Sequence, residues 1–444
     1  MAITPYEAWV LTQEARALFH RLGRVKPFAL QEPMLPAAAI TLAAQTGIET
    51  YLTRGRRELR GMIETFLKWL ATNARRGLTA AEAQQHFTVL RLRFNRVLTQ
   101  FDLFDDVITQ RSEHETGVWL SGLDVVAADA LALPGNYYDV PPLMCYLDRG
   151  VGAAIRRART RLPGGGDNPV SIIRVPRERM IGSGVASSLI HEVGHQAASL
   201  LNLVPSLVPV LKGLQQGSGP SRIAWELFER WISEIVADFW SVARVGITST
   251  MGLIGVVSLP RVFVFRLGLD DPHPIPWIRV KISSAIGAAL YPHPQWDRVS
   301  KLWESYYPTS GLDEKKRTLL AILESTIPAF LAVLIHHRPK SLRGRSLSEV
   351  LDTARRTPAR LRLLFATWQR KPWEMYRTAP SLVFAAIGQA RADGQLSPED
   401  EGNVLAKLLT HWALRSTLDA SEVCARVPRR GALTMNTKLN VSVG

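Results

Sequence analysis

The sequence predicts a mainly α protein, α+β in class with one small sheet, on three observations. Apolar residues recur at helical spacing over long stretches towards both ends of the chain. One β-branched run, Val170-Ser171-Ile172-Ile173-Arg174-Val175-Pro176, has the character of a strand. Pro- and Gly-rich turns cluster between the two helical stretches. These textures divide the chain into an N-terminal helical region (1–133), a central region (134–300), a C-terminal helical region (301–424) and a tail expected to be mobile (425–444).

Each element has a local cause. Residues 49–76 carry apolar positions at helical spacing, and Gly77 stops that helix. Thr79 and Glu82 form the capping box of the next helix. Its stripe of Val89, Leu92, Val97, Leu98, Phe101 and Phe104 is expected to be buried. Leu133 to Pro142 reads as loop and as a domain edge. A short helix is expected around 147–161, closed by Pro163-Gly164-Gly165-Gly166, and then the 170–176 strand. Gly182-Ser183-Gly184 opens another helix. Helices are expected again over 314–337, 346–369 and 397–417. Ser397 caps the last of these, in a turn that resembles a calcium loop but lacks its alternating Asp/Asn ligands.

Composition narrows the function. The 444 residues carry a formal charge of +15, from 43 Arg and only 11 Lys among the bases. The arginines are scattered, as in Arg54-Gly55-Arg56-Arg57, Arg75-Arg76, Arg156-Arg157 and Arg355-Arg356. Scatter of this kind fits solvated helix faces better than a nucleic-acid groove, so nucleic acid is not the expected partner. Cys145 and Cys424 are the only cysteines, which argues against a disulfide framework and for a reducing compartment. The N-terminus lacks a basic segment followed by an apolar one, so no secretory signal is expected. The cytoplasm is the expected location, with export by a dedicated machine left open. The uncharged stretches 195–211 and 245–260 are interrupted by Pro205 and Pro209 or end at Pro260, and no membrane span is expected from them.

The chemistry is concentrated in His191-Glu192-Val193-Gly194-His195. Two imidazoles four residues apart share one helix face, about 6 Å along the axis, and can reach a single tetrahedral Zn²⁺. Glu192 projects beside them, where it can take a proton from water. The surrounding helix is apolar (Val185, Leu189, Ile190, Val193, Ala197), and buried His and Glu are costly without partners. A catalytic zinc needs a third protein ligand. Glu234 is the candidate, four residues before Asp238 within the apolar segment Trp231 to Ala243. Asp238 is then placed to accept the second N–H of a ligating histidine. Further on, His273 and Arg279 are spaced H-P-x-x-x-x-R, and either can stabilise an oxyanion. The alternatives are that His273 is a turn residue packing on Trp277 and that Arg279 anchors structure through an acid. Tyr291 and His293 are weaker candidates for the same donor.

Taken in order, H-E-x-x-H, E-x-x-A-D and H-P-x-x-x-x-R resemble the gluzincin zinc metallopeptidases, most of all the CAAX-prenyl-protease and HtpX-like branch. The resemblance covers about 187–280 and lacks that branch's membrane spans. It implies a zincin-like core, Zn²⁺ held by His191, His195 and Glu234, Glu192 as general base, Asp238 orienting a ligand, and His273 or Arg279 assisting the transition state. It also implies that the 170–176 strand lies along the cleft and pairs with a peptide or protein substrate. The expected activity is therefore metal-assisted peptide hydrolysis. The alternative is an inactive, basic helical scaffold that keeps the zincin core only as structure.

Overall fold

The structure, a computed structural model, describes residues 1–444 except 25–33, 149–151, 163–165, 177–181, 218, 269–270 and 427–444. The chain is 74% helix and 5% strand, a mainly α protein with one three-stranded sheet. The 425–444 tail, the Pro163-Gly164-Gly165 turn and Asp270 fall wholly or largely outside the described residues.

Three long helices come first: α1 (Pro5–Arg24), α2 (Leu42–Asn73) and α3 (Ala80–Thr109). Gly77, at φ 85°, ends the turn after α2. The capping box forms, with Glu82 N–H donating to Thr79 Oγ1 at 3.2 Å and Thr79 N–H to Glu82 Oε2 at 2.9 Å. The buried stripe of α3 has a different phase from the expected one. Phe87, Leu90, Phe94, Val97, Phe101 and Phe104 face inwards at alternating steps of three and four. Val89 and Leu92 fall out of that phase and are 60% and 58% exposed.

A fourth helix, α4 (His114–Leu131), leads into strands β1 (Leu143–Asp148), β2 (Ala154–Arg156) and β3 (Ser171–Pro176). No helix forms among the described residues of the expected 147–161 stretch, which holds the end of β1, the short β2 and a turn. The sheet order is β1-β3-β2, with β1 parallel and β2 antiparallel to β3. Burial on both faces explains why the apolar run of β1 reads poorly as a strand. Met144 and Ile172 pack into the core of α1–α3. Leu143, Cys145, Leu147, Ile173 and Val175 point the other way, into a second core that runs on through α4 to Trp412.

The outer edge of β1 is sealed by side chains. Gln110 Nε2 donates to the Leu147 carbonyl and accepts the Leu147 N–H at its Oε1, both at 2.8 Å. Asp124 Oδ1 accepts the Cys145 N–H at 2.7 Å, and Arg111 donates to the Cys145 carbonyl at 2.6 Å. Arg111 and Asp124 also form a bidentate buried pair at 3.0 and 3.2 Å. With β1 closed and β3 central, β2 is the other edge of the sheet among the described residues, its Arg156 carbonyl taken by Asn168 Nδ2 at 3.3 Å.

The remainder is helical: α5 (Ser183–Leu200), α6 (Leu203–Gln215), α7 (Arg222–Val245), α8 (Ile247–Val257), α9 (Arg261–Val264), α10 (Pro276–Leu290), α11 (Gln295–Tyr306), α12 (Glu314–His336), α13 (Leu347–Val350), α14 (Pro358–Arg370), α15 (Pro380–Ala392) and α16 (Pro398–Arg426). The expected 346–369 helix is broken in two. Thr357, extended at ψ 146° ahead of Pro358, restarts it. Ser397 caps α16, its Oγ accepting the Asp400 N–H at 3.0 Å. Among the described residues, α12 alone is long and apolar enough to cross a membrane as a single helix. Its ridge of Leu320, Leu323, Ile327, Phe330 and Leu334 is buried, and it packs on α7 and α10. A second candidate arises only if α5 and α6, bent by 80°, are taken as one broken span.

Candidate metal centre

Two buried helices meet at one close crossing, and the crossing makes the site. Gly194 lies on α5 between the two histidines. A Cβ built there would sit 2.8 Å from Ala237 Cα and 2.9 Å from the Ala237 carbonyl oxygen on α7. Only a missing side chain allows that approach. It brings Ser233, Glu234 and Asp238 of α7 opposite the histidines of α5.

The resulting geometry is compact. His191 Nε2 lies 3.2 Å from Glu234 Oε2, and His195 Nε2 lies 3.3 Å from Glu234 Oε1. The two imidazole planes are nearly perpendicular, at 86°. One ligand atom from each of His191, His195 and Glu234 can be chosen with all three within 4.8 Å of one another. Metal–ligand bonds of about 2.0–2.1 Å put the corners of a tetrahedron about 3.3 Å apart, so this group can hold a metal ion. Behind the ring of His191, Nδ1 contacts Asp238 Oδ1 at 2.8 Å. Behind His195, Nδ1 faces Ser233 Oγ at 3.4 Å.

Arg279, from the first turn of α10, closes the site from a third element. Its Nε and Nη2 donate to the two oxygens of Asp238 at 2.7 and 2.9 Å. Nη2 also donates to Glu234 Oε2 at 3.3 Å. Burial disfavours charge on His191, but Asp238, together with hydrogen bonding to Glu234, outweighs it and pushes the pKa up to about 9. Burial likewise works against ionised Asp238, yet Arg279 and then His191 hold its carboxyl down at about 2. Glu234 is driven below the usual carboxylate range despite its burial, by hydrogen bonds to His191 and His195. Arg279 is raised by the same carboxylates against the effect of its own burial.

His273 stands at the rim. Its side chain is 54% exposed, with Nε2 3.6 Å from Glu234 Oε2 and Nδ1 2.7 Å from Asp271 Oδ1. Glu192 is 7% exposed and lines the same cavity. Among the described residues its carboxylate makes no hydrogen bond or ion pair, which leaves it open to a water or a substrate. The other two donor candidates lie elsewhere. Tyr291 donates to the Ala243 carbonyl at 2.6 Å inside the core. His293 is 3.1 Å from Arg362 Nη1 and accepts the Gln295 N–H.

The cavity holds about 550 Å³ and is walled by Ala153, Ala154 and Ile155 on one side and Leu253 and Val256 of α8 on another. The strand on its wall is β2. The 170–176 strand expected there is bonded on both sides and has no edge to offer. Larger hollows exist, including one of about 660 Å³ beside α2, but that one contains no histidine or glutamate. Three contributors were missed in the sequence: Ser233, the β2 wall and the apolar wall of α8. Ser233 had a signal, as a polar residue beside Glu234 in an apolar helix. The short run Ala154-Ile155-Arg156 had none.

Comparison with known proteins returns no match: no family, no curated protein and no solved structure is similar to this chain.

Proposed function

We propose that this protein is a zinc-dependent peptidase of gluzincin type. The observation that carries the reading is the convergence of three potential metal ligands and one unpartnered carboxylate, Glu192, in a single cavity. Two imidazoles and one carboxylate suit Zn²⁺ and leave a fourth position for a reactant. Bound there, zinc would supply a Lewis acid that acidifies water and polarises a carbonyl.

The chain's own residues do the rest. Glu192 takes the proton of the attacking water and passes it to the departing amine. Asp238 and Ser233 fix the ring orientations of His191 and His195 through their Nδ1 atoms. Arg279 is a positioning residue, because its Nε and Nη2 are engaged by Asp238 and Glu234. His273, exposed at the rim with Nε2 towards Glu234, is the side chain placed to donate to a developing oxyanion. The edge strand β2 can bind an extended peptide by adding a strand, with Leu253 and Val256 receiving apolar side chains.

The test is Glu192→Gln. Zinc content should stay at one per chain while hydrolysis of an unfolded protein substrate falls by at least about a thousandfold. Retained turnover would eliminate Glu192 as the base. No zinc and no hydrolysis in the wild-type chain would leave the inactive helical scaffold as the better reading.

A further inference from the structure

The segment between α8 and α10 presents apolar side chains to solvent in a way the proposed hydrolysis does not use. Val262 is 71% exposed, Phe263 46%, Leu259 44% and Leu267 36%, and Met251 on the adjoining α8 is 39% exposed. Large exposed apolar residues crowded into one short stretch are unusual on a monomer and mark an interaction surface. The segment is firmly held. Val264 and Phe265 are buried beneath it, and Phe265 packs on Trp277 with ring centroids 6.1 Å apart. Tyr307 Oη donates to the Leu259 carbonyl at 2.9 Å, and Arg261 Nη2 donates to the Ser310 carbonyl at 2.6 Å. Val262 and Phe263 therefore project because the turn is anchored.

Charge identifies the partner. Residues 251–268 contain Arg261 and Arg266 and no acid. Among the described residues, Asp271 is engaged with His273, Asp313 with Lys316 and Glu314 with Arg317. The whole chain carries +15. An apolar tip flanked by arginines matches the interface of an anionic bilayer, where the tip enters the acyl boundary and the guanidinium groups stay with the headgroups. A second copy is the poorer occupant, because a twofold contact would set these arginines against their own counterparts. Nucleic acid offers phosphates but nothing to cover Val262 and Phe263.

We propose that the Leu259–Leu267 segment docks this protein on anionic lipid membranes. The segment leads from Leu253 and Val256, which wall the metal cavity, towards His273 at its rim. Docking would therefore hold the cavity close to the membrane surface. The inference does not depend on peptide hydrolysis.

The experiment is co-sedimentation of the full chain with vesicles of phosphatidylcholine alone or mixed equally with phosphatidylglycerol. Wild type is expected to bind the mixed vesicles. The double variant Val262→Asp/Phe263→Asp should bind at least about tenfold more weakly, with unchanged circular dichroism and melting temperature. Three results would overturn the proposal: no binding by wild type, equal binding by the double variant, or self-association of wild type that the double variant abolishes.

Discussion

Gly194→Ala is the sharpest test of how the site is built, because it adds one methyl group at the helix crossing and touches no proposed ligand. The new Cβ would lie 2.8 Å from Ala237 Cα and 3.1 Å from Trp240 Cβ. Ordinary contact begins near 3.4 Å, so α5 and α7 must part by about 0.6 Å, and backbone atoms cannot move aside as a flexible side chain can. Overpacking of this kind costs about 1–3 kcal/mol, and the better helix propensity of alanine returns about 1 kcal/mol. The net loss of metal-free stability should therefore be no more than about 2 kcal/mol. Metal geometry is less forgiving, since ligand distances tolerate only about 0.2 Å. Glu234 shifts with α7 while His191 and His195 stay on α5. Zinc affinity should then fall about 10–100-fold, a loss out of proportion to the stability change. Competition against a chelator measures the first quantity, and urea denaturation without metal measures the second. An alanine variant that keeps zinc affinity within about twofold would show that the crossing does not set the site.

Further outcomes follow from the same packing. Arg279→Met leaves Asp238 and Glu234 buried with less compensating charge. It should cost about 3–5 kcal/mol in the metal-free protein and less once a divalent cation is added. A loss in urea denaturation that is the same with and without metal would refute that account. On α3, Phe94→Ala should cost about 3–5 kcal/mol while Val89→Ala stays within about 0.5 kcal/mol. Equal costs would contradict the phase of the buried stripe. Gln110→Leu strips both partners from Leu147 on the β1 edge and should cost about 1–3 kcal/mol, read by thermal melting. No change in the melt would mean that the edge has other protection.

The legible parts of this chain were those governed by short-range geometry. The pairing of His191 with His195, and of Glu234 with Asp238, follows from the helical repeat. The Thr79–Glu82 capping box follows from backbone donors that need partners within one turn. What sequence could not supply were relations set at long range. The 170–176 run was recognised as a strand, but its central position depends on where β1 and β2 fall, and β1 was hidden because both its faces are buried. The break before Pro358 was readable and was overridden by an apolar period that continued across it. Val89 and Leu92 failed for a different reason, since a stripe drawn from apolar residues alone does not fix which phase packs against α2.

The charge balance of the centre is what ties its parts together. Glu192, Glu234 and Asp238 are all less than 9% exposed and converge on one cavity. Arg279 is the buried permanent cation among them, and the exposed Arg157 lines the same cavity. Buried carboxylates are costly in a low-dielectric interior unless cations and hydrogen bonds offset them, and Asp238 and Glu234 share the one buried guanidinium of Arg279. In the metal-free protein His191 offsets part of that acid, which is why its pKa rises to about 9. A divalent cation held by His191, His195 and Glu234 would offset that acid and favour the neutral form in which His191 ligates. The acids lie around the three side chains spaced to hold a metal ion.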